Sequence, residues 1–149
     1  MGLASEAGMP AVADPGSSVV KAAHELGAEV IPLPGPVSVL LALAASGLNG
    51  QNFAFVGYLP QDPAERTRRL RELESLALKT GQTQLFIETP YRNRHLGVPA
   101  ANPAAQHALE RGSGLTLPGA LCRTLTAKAW KPLPCPVDNS TPAVFGIGR

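Results

Sequence analysis

Three turns hold the residues of this chain best suited to chemistry: Ser5-Glu6-Ala7-Gly8, Leu33-Pro34-Gly35-Pro36 and Glu88-Thr89-Pro90-Tyr91-Arg92. In the first, small residues let backbone N–H and C=O groups reach a bound molecule. Gly8 permits close approach and Pro10 restricts the chain. The third places acidic, hydroxyl, aromatic and basic groups directly after a strand, a mixture that points to a binding site. Its plainer reading is a local Glu88–Arg92 pair with Tyr91 packed nearby. No catalytic residue or general base is assignable. The glycines match neither a dinucleotide fingerprint nor a phosphate-binding P-loop. His24, His95 and His107 lie far apart, Cys122 and Cys135 lack ligand spacing, and no serine occupies a nucleophile turn. No metal site is expected.

The elements around these turns alternate as in an α/β protein. After the Asp14-Pro15-Gly16 turn, Ser17 or Ser18 should cap a helix to about Leu26, with Val19, Ala22, Ala23 and Leu26 on one face and Gly27 as its stop. Residues Glu29–Leu33 read as a short strand with Pro32 at an edge or at the strand's end. Val37–Ala45 is apolar on all sides and reads as a buried helix closed by Gly47. Phe53–Tyr58 and Gln84–Glu88 read as strands. Between them Asp62-Pro63-Ala64-Glu65 carries a helix-start pattern, and the helix should reach Lys79 with Leu70, Leu73 and Leu76 buried. From Gly97 to Gly114 no period persists, although Ala104–Leu109 could be a short helix. Thr141–Ile147 reads as a closing strand after the loop Pro132–Ser140.

Composition narrows the class. The 149 residues are 44% hydrophobic and 16% charged, which suits an ordered core. Aromatics are 5%, and Gly and Pro number 15 each, favouring short elements joined by turns. The formal charge of +2 does not itself argue for nucleic acid. The arginine-rich run Arg66–Arg71 reads first as a solvated helix face and second as an RNA contact. The longest apolar run, Val37–Ala45, falls far short of the ~20 residues a membrane helix needs. Two thiols without a scaffold pattern fit a reducing, cytoplasmic setting.

At the turns the chain resembles a known family. Ser5-Glu6-Ala7-Gly8-Met9-Pro10-Ala11-Val12-Ala13-Asp14-Pro15-Gly16 is similar to the Ser-Asp-Ala-Gly-Thr-Pro…Ser-Asp-Pro-Gly signature of the tetrapyrrole methylase superfamily. In particular it resembles the ribosomal small-subunit RNA methyltransferase I branch, which modifies a cytidine ribose. Similar segments follow at Val30–Pro36, Ala44–Leu48, Phe55–Pro60 and Ile87–Arg92, with later ones at Leu115–Pro118 and Thr141–Phe145. The resemblance implies an α/β, incomplete two-domain tetrapyrrole-methylase-like fold. Residues 1–50 would end a first, S-adenosylmethionine-binding domain. Residues 51–149 would form a second, with a disrupted segment around 97–114. It implies S-adenosyl-L-methionine as cofactor in a cleft between the domains. Ser5, Ala7, Gly8, Pro10, Pro34, Gly35, Val37 and Ser38 would contact it from the first domain, and Thr116, Leu117, Pro142 and Ala143 from the second. Glu88, Tyr91 and Arg92 would orient the acceptor.

The chain departs from the family pattern in lacking the first strand and its following loop, in carrying Glu6 where that branch usually has Asp, and in the irregular 97–114 passage. The leading expectation is a fragment of an RNA methyltransferase, with ribosomal RNA as acceptor and a homodimer as family habit. The alternatives are a methyltransferase acting on a tetrapyrrole or other small acceptor, and a noncatalytic truncated remnant or interaction module.

Overall fold

A computed structural model describes residues 1–90, 108–130, 132–133 and 140–149. They divide into two units, Met1–Ser38 and Val39–Arg149.

The first unit holds one helix, α1 (Ser17–Glu25), and no strand. Its N-cap is Gly16, without a side-chain cap bond, and neither Ser17 nor Ser18 takes that role. Gly16 is required there sterically: a Cβ would lie 2.8 Å from Leu3 Cδ2 and 3.2 Å from the Ala11 nitrogen. The helix ends as expected, with Gly27 left-handed at φ 69°. Its apolar face is not covered, however. No α1 residue is buried, and Leu26 is 84% exposed. The expected strand Glu29–Leu33 is absent, and Ile31 and Leu33 face solvent. Three alternate prolines (Pro32, Pro34, Pro36) remove ladder donors, and the unit supplies no partner strand to pair with.

The second unit is built on a five-stranded sheet in the order β1-β2-β5-β3-β4, comprising β1 (Phe53–Tyr58), β2 (Thr83–Glu88), β3 (Ala108–Ser113), β4 (Leu121–Thr126) and β5 (Ala143–Gly148). Only β1 and β2 pair in parallel, and the other pairs are antiparallel. The crossover from β1 to β2 is α3 (Pro63–Thr80), whose ends follow the sequence pattern. Asp62 accepts the Glu65 N–H at 2.9 Å, and Gly81, left-handed at φ 72°, closes the C-terminus. One face of α3 packs on Phe86, Phe145 and Ile147 through Leu73 and Ala77. Leu70 is partly buried there, whereas Leu76 is 41% exposed, because Ala77 takes the inward position expected of Leu76.

Helix α2 (Ser38–Ser46) forms, but it is buried on one side only. Val39, Ala42, Leu43 and Ser46 are inside, while Leu40 is 46% exposed. A run that is apolar all round thus lies at the surface of this unit. Beyond it Asn49 ties three elements together. Its Nδ2 donates to the Gly81 carbonyl at 2.9 Å, its Oδ1 accepts from the Gln51 N–H, and its carbonyl accepts from Thr83 Oγ1. A bulge in β1 falls between Phe55 and Tyr58, where Gly57 is left-handed at φ 75°. Bulges of this kind bend a strand end, here just before Leu59 and Pro60.

The chain after residue 107 differs most from expectation. Ala108 and Leu109 open a strand and do not end a helix, while residues 104–107 lie outside the described set. β4 and the short helix α4 (Ala127–Trp130) carry no periodic signal that marks them in advance. Trp130 is 2% exposed, with the Arg111 guanidinium 4.3 Å and the Arg123 guanidinium 5.7 Å from its ring centroid. Register sets Arg111 opposite both Arg123 and Phe145, so the two cations and the indole share the helix-covered face.

Two outcomes follow. Leu73→Ala should cost about 2–5 kcal/mol in urea unfolding, and Leu76→Ala about 0.5 kcal/mol or less, despite their equal place in the apolar pattern. In native-state hydrogen exchange, α1 amides should exchange at least about 100-fold faster than those of β5, whose six residues are all buried. Equal protection would contradict the exposure of α1.

Candidate site at the strand ends

Strand pairing carries the expected second-domain residues to one end of the sheet. Glu88 is the register partner of Ala143, Ala143 of Ser113, and Ser113 of Leu121. This row crosses four strands where β2 and β3 end and where β5 and β4 begin. The β3–β4 connection rises from it as a double turn. The Leu117 N–H donates to the Gly114 carbonyl at 2.8 Å, and the Ala120 N–H to the Leu117 carbonyl at 3.1 Å. Gly114 (φ 59°) and Gly119 (φ 86°) allow these bends. Thr116 and Leu117 sit at the crest, and Leu117 is 60% exposed. Ser113 Oγ donates to the Pro142 carbonyl at 3.4 Å, linking the turn to the start of β5.

Thr116, Leu117, Pro142, Ala143 and Glu88 are therefore grouped around one sheet end, although long stretches of sequence separate them. Ala143 is 2% exposed, so it can offer little beyond backbone and a methyl. Glu88 is equally buried, with Oε1 accepting from the Thr89 N–H at 2.9 Å and from its hydroxyl at 3.4 Å. These bonds hold the carboxylate against the strand terminus. Tyr91 and Arg92 lie outside the described residues, and so does any Glu88–Arg92 pair.

In the first unit, Ser5 Oγ donates to the Ala7 carbonyl at 3.1 Å and accepts the Ala7 N–H at 3.4 Å. Gly8 follows at φ 74°. The loop continues through the bonds Val12 N–H to Met9 C=O and Ala11 N–H to Pro15 C=O, both 3.2 Å. Ala11 (φ 65°) and Ala13 (φ 55°) are left-handed without being glycine. Such a conformation costs an L-residue about 1 kcal/mol, so this turn is strained. Pro34 and Gly35 are exposed, Val37 is half-buried, and Ser38 opens α2. Among the described residues no hydrogen bond joins Ser5–Pro10 to Pro34–Ser38.

No group of three or more metal-ligating side chains occurs among the described residues. No described helix is long and apolar enough to cross a membrane. An open concavity lies elsewhere, along the outer face of α3, lined by Arg68, Arg71, Ser75, Leu76 and Lys79 among others. The strand ends are the better candidate for small-molecule chemistry, because there residues from several elements converge. The concavity draws its described lining from one helix. Arg111 and Trp130 were not singled out by their sequence context, since only the pairing of β3 with β4 and β5 brings them together.

No family model matches the chain. Curated relatives do match part of it. The ribosomal RNA small subunit methyltransferase I of Vibrio cholerae is 41% identical over 90 residues, which are 60% of this chain and 30% of the relative. The proteins of the same name from Bacillus subtilis and Escherichia coli O157:H7 are 40% and 37% identical over the same length. The aligned part is thus about 30% of the length of these relatives. Among solved structures, the methyltransferase CobJ matches with a TM-score of 0.55 and 20% identity, over 95% of this chain and 62% of CobJ. A conserved hypothetical protein from Aeropyrum pernix matches with a TM-score of 0.56 and 20% identity, over 96% of this chain and 56% of its own. At that identity the structural matches establish the fold alone. The chain is thus similar in sequence to part of the ribosomal RNA small subunit methyltransferases I, and its fold is similar to that of the methyltransferase CobJ.

Proposed function

We propose that the chain is part of an S-adenosylmethionine-dependent methyltransferase whose acceptor is ribosomal RNA, and that its strand-end cluster holds the adenosine half of the donor. The observation that supports this is the convergence of Thr116-Leu117 and Pro142-Ala143 through the Glu88–Ala143–Ser113–Leu121 row. The residues present fit such a group. Adenosine needs an apolar surface and hydrogen bonds to its edge. Exposed Leu117 offers the surface, while the turn Gly114–Ala120 and the start of β5 offer backbone N–H and C=O groups. When bound, the donor supplies a methyl carbon on a sulfonium, which transfers by alignment with a nucleophilic acceptor and needs no covalent enzyme intermediate.

The chain's own residues contribute position. Glu88, fixed by Thr89, presents a buried carboxylate at the end of β2, suited to orienting an acceptor hydroxyl. The Ser5–Pro10 turn, with Ser5, Ala7, Gly8 and Pro10, is assigned by resemblance to the polar end of the donor. Pro34, Gly35, Val37 and Ser38 are assigned to it likewise. In this reading residues 1–50 belong to the donor-binding domain and residues 51–149 to the second. RNA is favoured over a tetrapyrrole because the curated relatives are ribosomal RNA methyltransferases.

Titration calorimetry of the purified chain with S-adenosylmethionine up to millimolar concentration should give saturable heat. Leu117→Asp should weaken it at least about tenfold, by placing a charge on the apolar surface, while the melting temperature stays within a few degrees. Labelled-methyl transfer to undermodified small ribosomal subunits tests the acceptor. Absence of both heat and transfer would leave a noncatalytic remnant as the correct reading.

A further inference from the structure

The basic residues of α3 are sorted by face. At 100° per residue, Leu73, Ala77, Leu70 and Arg66 share the inward side, in keeping with their burial. The direction opposite is occupied by Arg68, Arg71, Ser75 and Lys79. No carboxylate falls within that stripe. Glu72 lies at its margin and is bound by Arg69 at 3.1 Å, with Arg69 itself off the stripe. Arg68, Arg71 and Lys79 are exposed, and no ion pair among the described residues engages them.

A helix face that is merely solvated commonly mixes charges at i, i+4, which stabilises it. Here Arg68 has Glu72 four residues on, but Arg71 and Lys79 have no carboxylate at i±4, so three cations face one carboxylate and the surface keeps a net positive charge available to an anion. The same three cations line the open concavity together with Glu72, Ser75 and the 41%-exposed Leu76. From Arg68 to Lys79 the stripe runs about 16 Å along the axis, long enough for a strand to be followed past more than one phosphate. The wider charge balance agrees. Residues 1–38 carry one lysine and four carboxylates, so residues 39–149 hold twelve of the 13 cations against seven carboxylates.

We infer that the outer stripe of α3, formed by Arg68, Arg71 and Lys79, is the surface on which this protein holds the phosphate backbone of single-stranded RNA. The inference rests on the reading of RNA as acceptor and names the part of the chain that would hold it. Cations without a base-reading partner position a nucleic acid and do not read its sequence. Leu76 adds an apolar contact for a ribose or base. Binding is therefore tolerant of sequence and steeply dependent on salt.

The test is fluorescence anisotropy of the full chain with a labelled single-stranded RNA of about twenty nucleotides, between about 50 and 200 mM salt. The triple variant Arg68→Gln/Arg71→Gln/Lys79→Gln is compared with Lys21→Gln/Lys128→Gln/Arg149→Gln, which removes the same charge from exposed positions off the stripe. Circular dichroism melts check that both fold. The stripe variant should bind at least about tenfold more weakly and lose about two units of slope in log affinity against log salt, near the ~0.7 per contact of single strands. The control should change less than about threefold. Equal losses in both variants would overturn the inference, as would no RNA binding by the unmodified chain or equally tight binding of polyglutamate. Donor calorimetry separates the two readings. Heat with an unaffected stripe variant sinks this surface alone, and stripe-dependent RNA binding without heat sinks only the donor assignment.

Discussion

The last strand of the chain is the middle of its sheet. β5 hydrogen-bonds to β2 on one side and β3 on the other, so β1-β2 and β3-β4 become one sheet only when residues 143–148 are in place. The junction is packed as well as bonded. The Phe86 and Phe145 rings stack with centroids 5.5 Å apart, beneath Leu73 and Ala77 of α3. Because Gln84 meets Ile147 across about sixty residues, this contact demands a long loop closure before it is rewarded, a cost that local helices do not carry.

The candidate site inherits that register. Side chains alternate along a strand, so a slip of one residue in β5 would turn Ala143 to the other face and break the row from Glu88 to Leu121. It would also move Pro142 away from Ser113, whose hydroxyl ties the β3–β4 turn to β5. Stacking of Phe145 on Phe86, with Ile147 in the same cluster under α3, specifies the register. Position at the strand ends is thus a consequence of core packing, and the proposed site draws on backbone groups, Leu117 and the Glu88 carboxylate.

α3 connects the core to the surface. Its inward face holds the sheet through Leu73 and Ala77, and its outward face gathers cations that the fold does not use. The Asp62 cap, the Gly81 stop and the Asn49 bond to the Gly81 carbonyl fix where the helix begins and ends. They therefore fix which way each arginine points, since a shift of one residue rotates every side chain by 100°.

The features legible along the chain are local ones. Asp62, Pro63 and Gly81 bound α3, Gly27 stops α1, and the β-rich runs before Tyr58 and Glu88 form strands where expected. The turns that carry the family resemblance were readable too, because glycine and proline constrain the backbone without help from distant residues. Tertiary structure decided the rest. Ala77 and not Leu76 faces the core, because packing of Leu70 and Leu73 on the sheet sets the helix rotation and Ala77 falls between them in direction. Glu29–Leu33 forms no strand in a unit that offers it no partner, however apolar the segment is. Ala108–Ser113 does become a strand, its weak pattern overridden by two neighbours that hydrogen-bond it on both sides. Arg111, Arg123 and Trp130 meet only through that pairing. Caps and turns act over a few residues, whereas a strand exists only by virtue of hydrogen bonds to another segment, and no short stretch of sequence contains its own partner.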